Sequence, residues 1–472
     1  MALTGAALGS QCGKISRPRS SARLRVISSD MLLLSFRRLV STAIACWELL
    51  AAAILVGVAV SLYACGMSIA HAGMLVYFGV LPWGLLLVSP LVGGLCAWVT
   101  RRWFVGAEGS GVPQAIAALR GDSTPGRELL GWRLLLGKIG ISLVATAAGF
   151  PIGRQGPSIY LGAVIMHKLG AFLPQPNSAA DMEARERAII VIGSAAGLAA
   201  AFRTPLGGFV FALEQLLTRK KLHWRILAAL AIATFAAPAI PFVGSGGGVV
   251  PRVSSSLFQD GLFASIVLAG AVTGLAGGSF AWMLIYAMRW LPASLVQLRA
   301  RRPAVFGALC GLLVAVMAMT TSGTSLLGVE QVVSGILEGR AASPGDPLAR
   351  GLALLATCVA GIPGGIFVPS LAIGAGIGGL LHEFVGAVDI RVLLAISMAG
   401  YFAAVTRSPL TACVVVAELS GSLQILLPAL ATCLIAGWVS RNLAPPLYHA
   451  LSIPYGNVPG VAGCLGTRTW TL

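Results

Sequence analysis

The sequence predicts an all-α, polytopic membrane protein in which two inverted repeats are built from many tilted and broken helices. Three observations carry that expectation: the composition, a duplicated segment and the placement of the basic residues. The chain has 472 residues, 57% of them hydrophobic and only 10% charged, with a mean hydropathy of +0.87. A soluble domain of this size does not present so apolar a surface to water, so the solvent is a bilayer. Apolar segments run over 39–64, 84–100, 134–150, 188–217, 226–241, 262–288, 304–320, 349–380, 390–405 and 409–437. Few are regular spans of about 20 residues, and many of the 59 glycines and 25 prolines interrupt them. Broken helices survive at membrane depth only where protein or a water-filled path satisfies the freed backbone groups. That favours a transporter or channel over a receptor-like bundle.

The duplication is legible without a gap. Residues 149–165 align on 361–377, and Gly149, Pro151, Gly153, Pro157, Ser158, Gly162, Ala163 and Ile165 meet identical residues 212 positions on. A second pair follows in the same order: Arg203-Thr204-Pro205-Leu206 with Glu214 beyond it, and Arg407-Ser408-Pro409-Leu410 with Glu418 beyond it. Glycine- and alanine-rich sequence gives chance matches, but two matches in register point to duplication.

The net charge of +17 invites a nucleic-acid reading, which its distribution opposes. Basic residues gather in short segments between apolar runs: Lys14, Arg17, Arg19, Arg23, Arg25, Arg37 and Arg38, then Arg101 and Arg102, then Arg219, Lys220, Lys221 and Arg225, then Arg289, Arg299, Arg301 and Arg302. This positive-inside pattern puts those segments and the N-terminus in the cytoplasm. Residues 242–259, with Arg252 as the only cation, read as an outer loop. The two repeats therefore enter the membrane from opposite sides, which places a substrate site near the midplane at their interface. The expected organisation is a basic cytoplasmic tail (1–32), repeat one (33–241), an outer linker (242–259), repeat two (260–450) and a short C-terminal tail (451–472). That last stretch leaves no room for CBS domains. The acid-free, Ser- and Arg-rich start also has the composition of a transit peptide, with Met31 as an alternative start; the tail reading is preferred. The nine cysteines lack a C-x-x-C and read as buried apolar residues, and the five histidines have no ligand spacing. Neither a metal nor a cofactor is expected.

Three five-residue stretches carry the chemistry: Gly109-Ser110-Gly111-Val112-Pro113, Gly153-Arg154-Gln155-Gly156-Pro157 and Gly365-Ile366-Phe367-Val368-Pro369. Glycine permits a sharp turn and close approach, and proline suits the first turn of a helix, where its missing N–H costs nothing. Three such helix starts would aim free N–H groups and positive dipole ends at one place, which suits an anion.

These stretches, with Pro446-Leu447-Tyr448 near the end, resemble the signature regions of the CLC chloride channels and chloride/proton antiporters. Order and spacing agree, as do the intervening segments from Ala199 to Glu214 and from Gln424 to Tyr448, so that the resemblance spans roughly 35–450. It implies the CLC fold and transport rather than catalysis. It also implies that Ser110 and Tyr448 offer hydroxyls to a central chloride, completed by the backbone N–H groups of Ile366 and Phe367. Gly153, Arg154, Gln155, Gly156 and Val368 would line a more external anion site. Lys138 matches a family lysine held to make the pore electropositive. Bromide and nitrate would also be accepted, and a homodimer with one pore per subunit is implied, its contact formed by 205–217, 226–241 and 409–440. Residue by residue, other readings stay open. Ser110 also fits a helix N-cap, Tyr448 an interfacial anchor, Phe367 packing, and Arg154 either a mouth charge or an ion pair. Glu214 and Glu418 read as buried or capping carboxylates.

The sequence departs from the antiporter pattern along the proton route. The external gate position holds Gln155 and the internal proton-transfer position Gln215, where the antiporters carry glutamates, and Gln114 and Ile116 replace acids after the first motif. An amide has no proton to lose. The expectation is a passive, uncoupled chloride conductor in a cell inner or plasma membrane. The alternatives are an antiporter with an unusual proton path, through Glu214 for example, and a non-transporting scaffold or anion sensor.

Overall fold

Gly and Pro punctuate the chain so often that few of its helices are long enough to cross a bilayer unbroken, and the structure, a computed structural model, follows that pattern. It describes residues 29–120, 129–171, 178–217, 224–239, 261–340, 343–385 and 388–456. Most of the basic tail (1–28, with Lys14 to Arg25), the outer linker 242–259, the cluster Arg219 to Lys221 and residues 457–472 lie outside them.

In chain order the helices are α1 (Ser29–Val80), α2 (Leu85–Trp103), α3 (Val112–Arg120), α4 (Trp132–Ala147), α5 (Gln155–Gly170), α6 (Ala179–Phe202) and α7 (Pro205–Phe211). The last runs on as a π-helical turn, Ala212–Leu216. Then come α8 (Trp224–Ala236), α9 (Leu262–Ile285), α10 (Ala293–Arg301), α11 (Pro303–Thr320), α12 (Val329–Leu337) and α13 (Gly345–Ala360). Helices α14 (Phe367–Val385), α15 (Ile390–Thr406), α16 (Pro409–Ser420), α17 (Leu426–Arg441) and α18 (Leu447–Gly456) complete the fold. Among the described residues six segments are long and apolar enough to span a membrane: Trp47–Val80, Pro82–Trp103, Leu262–Ile285, Pro303–Thr320, Phe367–Val385 and Leu423–Arg441. The chain divides into two compact units, Met1–Trp47 and Glu48–Leu472, and everything below concerns the second.

The duplication reappears as duplicated geometry. Helix α5 packs along α6 in the first repeat, as α14 packs along α15 in the second. Both pairs approach through small residues, as membrane helices do when van der Waals packing rather than water drives association. A Cβ added at Gly162 would sit 2.1 Å from Gly193 O, so no larger residue fits there. Helices α6 and α15 both end on an arginine in the left-handed conformation, Arg203 (φ 58°) and Arg407 (φ 61°). In each case a proline then opens the next helix. That pairing of a left-handed C-cap with a proline at the next N1 turns the chain sharply within a few residues. It also brings α7 and α16 of opposite repeats together. The fold is the predicted all-α polytopic one, and its repeats meet at the signature motifs.

Candidate functional site

All three Gly-x-x-x-Pro motifs converge. Gly153 and Gly365 form an isolated antiparallel bridge in which each N–H donates to the other's carbonyl at 2.8 Å. Gly364 N–H donates to Gly109 O at 3.2 Å and ties in the first motif. The approach depends on glycine. A Cβ at Gly365 would lie 2.6 Å from Gly153 O and 2.9 Å from Gly156 N. One at Gly156 would lie 2.6 Å from Ser110 O.

The helix starts expose their donors. The first helical bond of α5 runs from Ser158 N–H to Arg154 O, and that of α14 from Ser370 N–H to Ile366 O. Pro157 and Pro369 carry no N–H, so the amides of Gln155, Gly156, Phe367 and Val368 have no acceptor within their helices. Around them the site residues are buried. Gln155 is 1% exposed, Phe367 1%, Ile366 3%, Ser110 5% and Tyr448 1%.

Two buried polar atoms here have no partner: the Tyr448 phenol oxygen and Gln155 Oε1. A buried hydroxyl without an acceptor costs about 1–3 kcal/mol, and a halide beside Tyr448 would remove that cost. The Tyr448 ring stacks on Phe367 at 5.8 Å and 18°, and Phe367 also meets Phe402 (4.8 Å), Phe211 (6.2 Å) and Phe202 (6.3 Å). These four rings hold the start of α14 in place. Phe367 therefore packs through its side chain while its amide stays free, and the two readings of this residue are compatible.

Lys138 is fully buried and faces the first motif from α4. Its ammonium donates to Ala107 O (2.7 Å), Gly109 O (2.9 Å) and, at longer range, Glu108 O (3.5 Å), and lies 5.3 Å from the Tyr160 ring centroid. Its charge is thus placed beneath the loop that carries Ser110. Gln114 has a structural reason to be an amide: its Nε2 donates to Gly106 O (3.0 Å) and Glu108 O (2.6 Å), which a carboxylate cannot do.

On the Gln155 side a vestibule of about 680 Å³ is lined by Ser68, His71, Arg154, Gln155, Glu330 and Val368 among others. Arg154 donates to Ser68 Oγ at 3.3 Å and interacts electrostatically with Glu330 across this space. Gln215 lies elsewhere, buried in the π turn beyond α7, with Nε2 3.5 Å from Arg407 O and Oε1 without a partner. Among the described residues no group of His, Cys, Asp or Glu is arranged to hold a metal.

The sequence missed the Phe202, Phe211 and Phe402 packing, because aromatic residues in apolar runs have no spacing that marks them. It also passed over Glu108, whose signal was available: a lone acid inside a glycine-rich signature region of a chain only 10% charged.

Helix starts from both halves of the duplicated chain meet around buried polar groups in the interior of a polytopic membrane protein. The chain belongs to the voltage gated chloride channel family (CLC), whose family model matches residues 92–441. It is 27% identical over 391 residues to the H(+)/Cl(-) exchange transporter ClcA of Vibrio parahaemolyticus, covering 78% of both chains. It is 31% identical over 249 residues to the chloride channel protein CLC-d of Arabidopsis thaliana, covering 48% of this chain and 30% of that protein. In fold it resembles a slow cyanobacterial Cl−/H+ antiporter (TM-score 0.69, 24% identity, 86% of this chain and 97% of that one). A CLC-type fluoride/proton antiporter is similarly close in fold (TM-score 0.70, 20% identity, 86% and 96%). The chain is therefore an integral, multi-pass membrane protein of a chloride-transporting family.

Proposed function

We propose that this protein conducts chloride passively, without stoichiometric exchange for protons. The observation that carries this reading is Gln155. It stands at the start of α5, 1% exposed, in the wall of the vestibule and two residues from the bridge that joins the repeats. Coupled exchange needs a group there that alternates between a charged and a neutral form, and an amide has only one. Gln215 has the same limitation, and Gln114 is engaged in loop carbonyls.

The chloride path would run from the vestibule past the amides of Gln155, Gly156 and Val368 to Ser110, Tyr448 and the amides of Ile366 and Phe367. Arg154 would draw anions to the mouth, and Lys138 would supply the positive field at the centre. Neutral donors and a buried, fully bonded lysine suit throughput, since conduction needs sites weak enough to leave. Bromide and nitrate should pass as well. The apolar outward faces of α16 and α17, with Leu410, Leu427 and Trp438 exposed, suit either lipid or the proposed homodimer contact.

Chloride-loaded liposomes holding the purified protein test this directly. With valinomycin present, chloride should leave down its gradient while the bath pH stays constant. Uphill proton movement driven by chloride would establish the antiporter alternative, which the names of the curated relatives keep in view. No chloride flux at all would leave the scaffold or sensor reading. Fluoride flux exceeding chloride flux would overturn the anion assignment.

A further inference from the structure

Glu108 has no place in the path just described, and its surroundings are unusual. It is 8% exposed and stands two residues ahead of Ser110 on the same loop. One carboxyl oxygen accepts from Gly106 N–H at 3.0 Å, and the other is buried with no partner. A carboxylate oxygen left bare in an apolar interior is costly, and protonation turns that oxygen into a neutral hydroxyl. The charged groups that bear on it are Arg299 of α10 and Lys138 of α4, and the Tyr455 phenol of α18 lies 3.5 Å from the Glu108 backbone carbonyl. Arg299 is itself engaged with Val359 O at 2.9 Å and opposed by Arg101. Behind Lys138 stands the Tyr160 ring, whose hydroxyl is donated to Leu129 O.

We infer that Glu108 is a proton-binding site linked to chloride occupancy at Ser110: protonation of its carboxyl unmasks the Lys138 charge and strengthens chloride binding. This rests on the chloride reading above. Ionised, the carboxylate offsets the Arg299 and Lys138 charges that bear on it, Lys138 being the one whose ammonium holds the carbonyls of the Ser110 loop, and adds its own repulsion toward an anion two residues away. Neutral, it does neither. The proton comes from solvent on the face that carries Arg299, forms the O–H bond of the carboxyl and returns to the same solvent when chloride leaves. It does not cross the membrane, because Gln155 offers no next acceptor. Linkage makes the effect reciprocal, so chloride must tighten the proton's hold by the same factor. The device tunes uncoupled flux to the acidity of one compartment.

Titration calorimetry of chloride into the full-length protein, in two buffers of different ionisation enthalpy, tests this from about pH 5 to about pH 8. Wild type should take up a fraction of a proton per chloride and bind chloride on the order of tenfold more tightly at the acidic end. Glu108→Gln should abolish the uptake and hold the affinity, at all pH values, at the wild-type acidic level. A merely structural glutamate would instead lose affinity on that change. Chloride binding without proton uptake, or uptake that persists in Glu108→Gln, overturns the inference. No chloride heat in wild type overturns the chloride reading beneath it instead. Should Glu108→Gln not fold, the chloride-difference infrared spectrum of wild type decides. A protonated-carboxyl band appearing on chloride addition supports the inference, and a spectrum without one overturns it.

Discussion

Glu214 and Glu418 cap each other's repeats. The Glu214 carboxylate accepts from Leu410 N–H (3.1 Å), Thr411 N–H (2.7 Å) and Thr411 Oγ1 (2.7 Å) at the start of α16. The Glu418 carboxylate accepts from Leu206 N–H (3.0 Å) and Gly207 N–H (2.6 Å) at the start of α7. Each acid thus neutralises the positive end of a helix in the opposite half. The sequence placed both as buried or capping carboxylates, and capping is what the geometry gives. Both Glu214 oxygens are engaged at the start of α16, which weakens the route through this residue.

Removing either cap should therefore cost stability and leave coupling unchanged. Glu418→Ala strips α7 of two charge-assisted bonds, each worth about 1.5–3 kcal/mol. The unfolding temperature in detergent should fall by several degrees, while chloride flux per folded protein stays within about twofold of wild type. The same should hold for Glu214→Ala. Proton flux that disappeared in Glu214→Ala would instead place that residue on a proton path.

The convergence of the motifs predicts an effect from a single methyl group. Gly365→Ala puts a carbon 2.6 Å from Gly153 O, and backbone cannot yield there without parting the two repeats. Overpacking of this kind costs about 1–3 kcal/mol, and chloride affinity should fall along with stability. Gly140→Ala, at a helical position with nothing within 4 Å, is the matched control and should leave both unchanged. Thermal unfolding and a chloride isotherm on each variant settle the comparison.

These outcomes also show where the sequence was informative. The Gly-x-x-x-Pro spacing and the duplication announced convergence because only glycine permits such an approach and only proline omits the N–H. Gln155, Ser110, Phe367 and Tyr448 stand out through those motifs, and all four are buried. The Gly153–Gly365 bridge, the crossed glutamate caps and the hold of Gln114 on two loop carbonyls were not legible. They depend on which chain segments lie opposite one another, and no local periodicity encodes that.

The unpartnered phenol of Tyr448 allows a prediction about sign. If chloride sits there, Tyr448→Phe removes a donor worth roughly 0.5–1.5 kcal/mol net. Affinity should then fall by about an order of magnitude at most, with conduction continuing on backbone amides. If no anion sits there, the same change removes a buried hydroxyl that has no acceptor, and the protein should become more stable with an unaltered isotherm. Pairing Tyr448→Phe with Ser110→Ala sharpens the measurement. An unchanged isotherm in the double variant would place the anion elsewhere.

The last prediction concerns Gln155→Glu. The side chain of Gln155 is folded toward Gly153, whose added Cβ would lie 3.2 Å from Oε1, and that oxygen is buried without a partner at a helix start whose first amides have no acceptor within the helix. A carboxylate in that place would compete with chloride for the same donors, being anionic and covalently tethered. At high pH it is ionised and should slow chloride efflux from liposomes by about tenfold, the equivalent of roughly 1.4 kcal/mol. Acidification converts it to a neutral acid, close to the amide it replaced, so flux should return toward wild type as pH falls. Because wild type has its own acid dependence through Glu108, the quantity to follow is the ratio of variant to wild-type flux at each pH. That ratio should rise steadily toward acid. Stoichiometric proton movement should still be absent, since Gln215 remains an amide and no second carrier connects the site to the other face. Efflux from Gln155→Glu equal to wild type at every pH would show that this side chain lies outside the chloride path, and the proposed route would have to be redrawn.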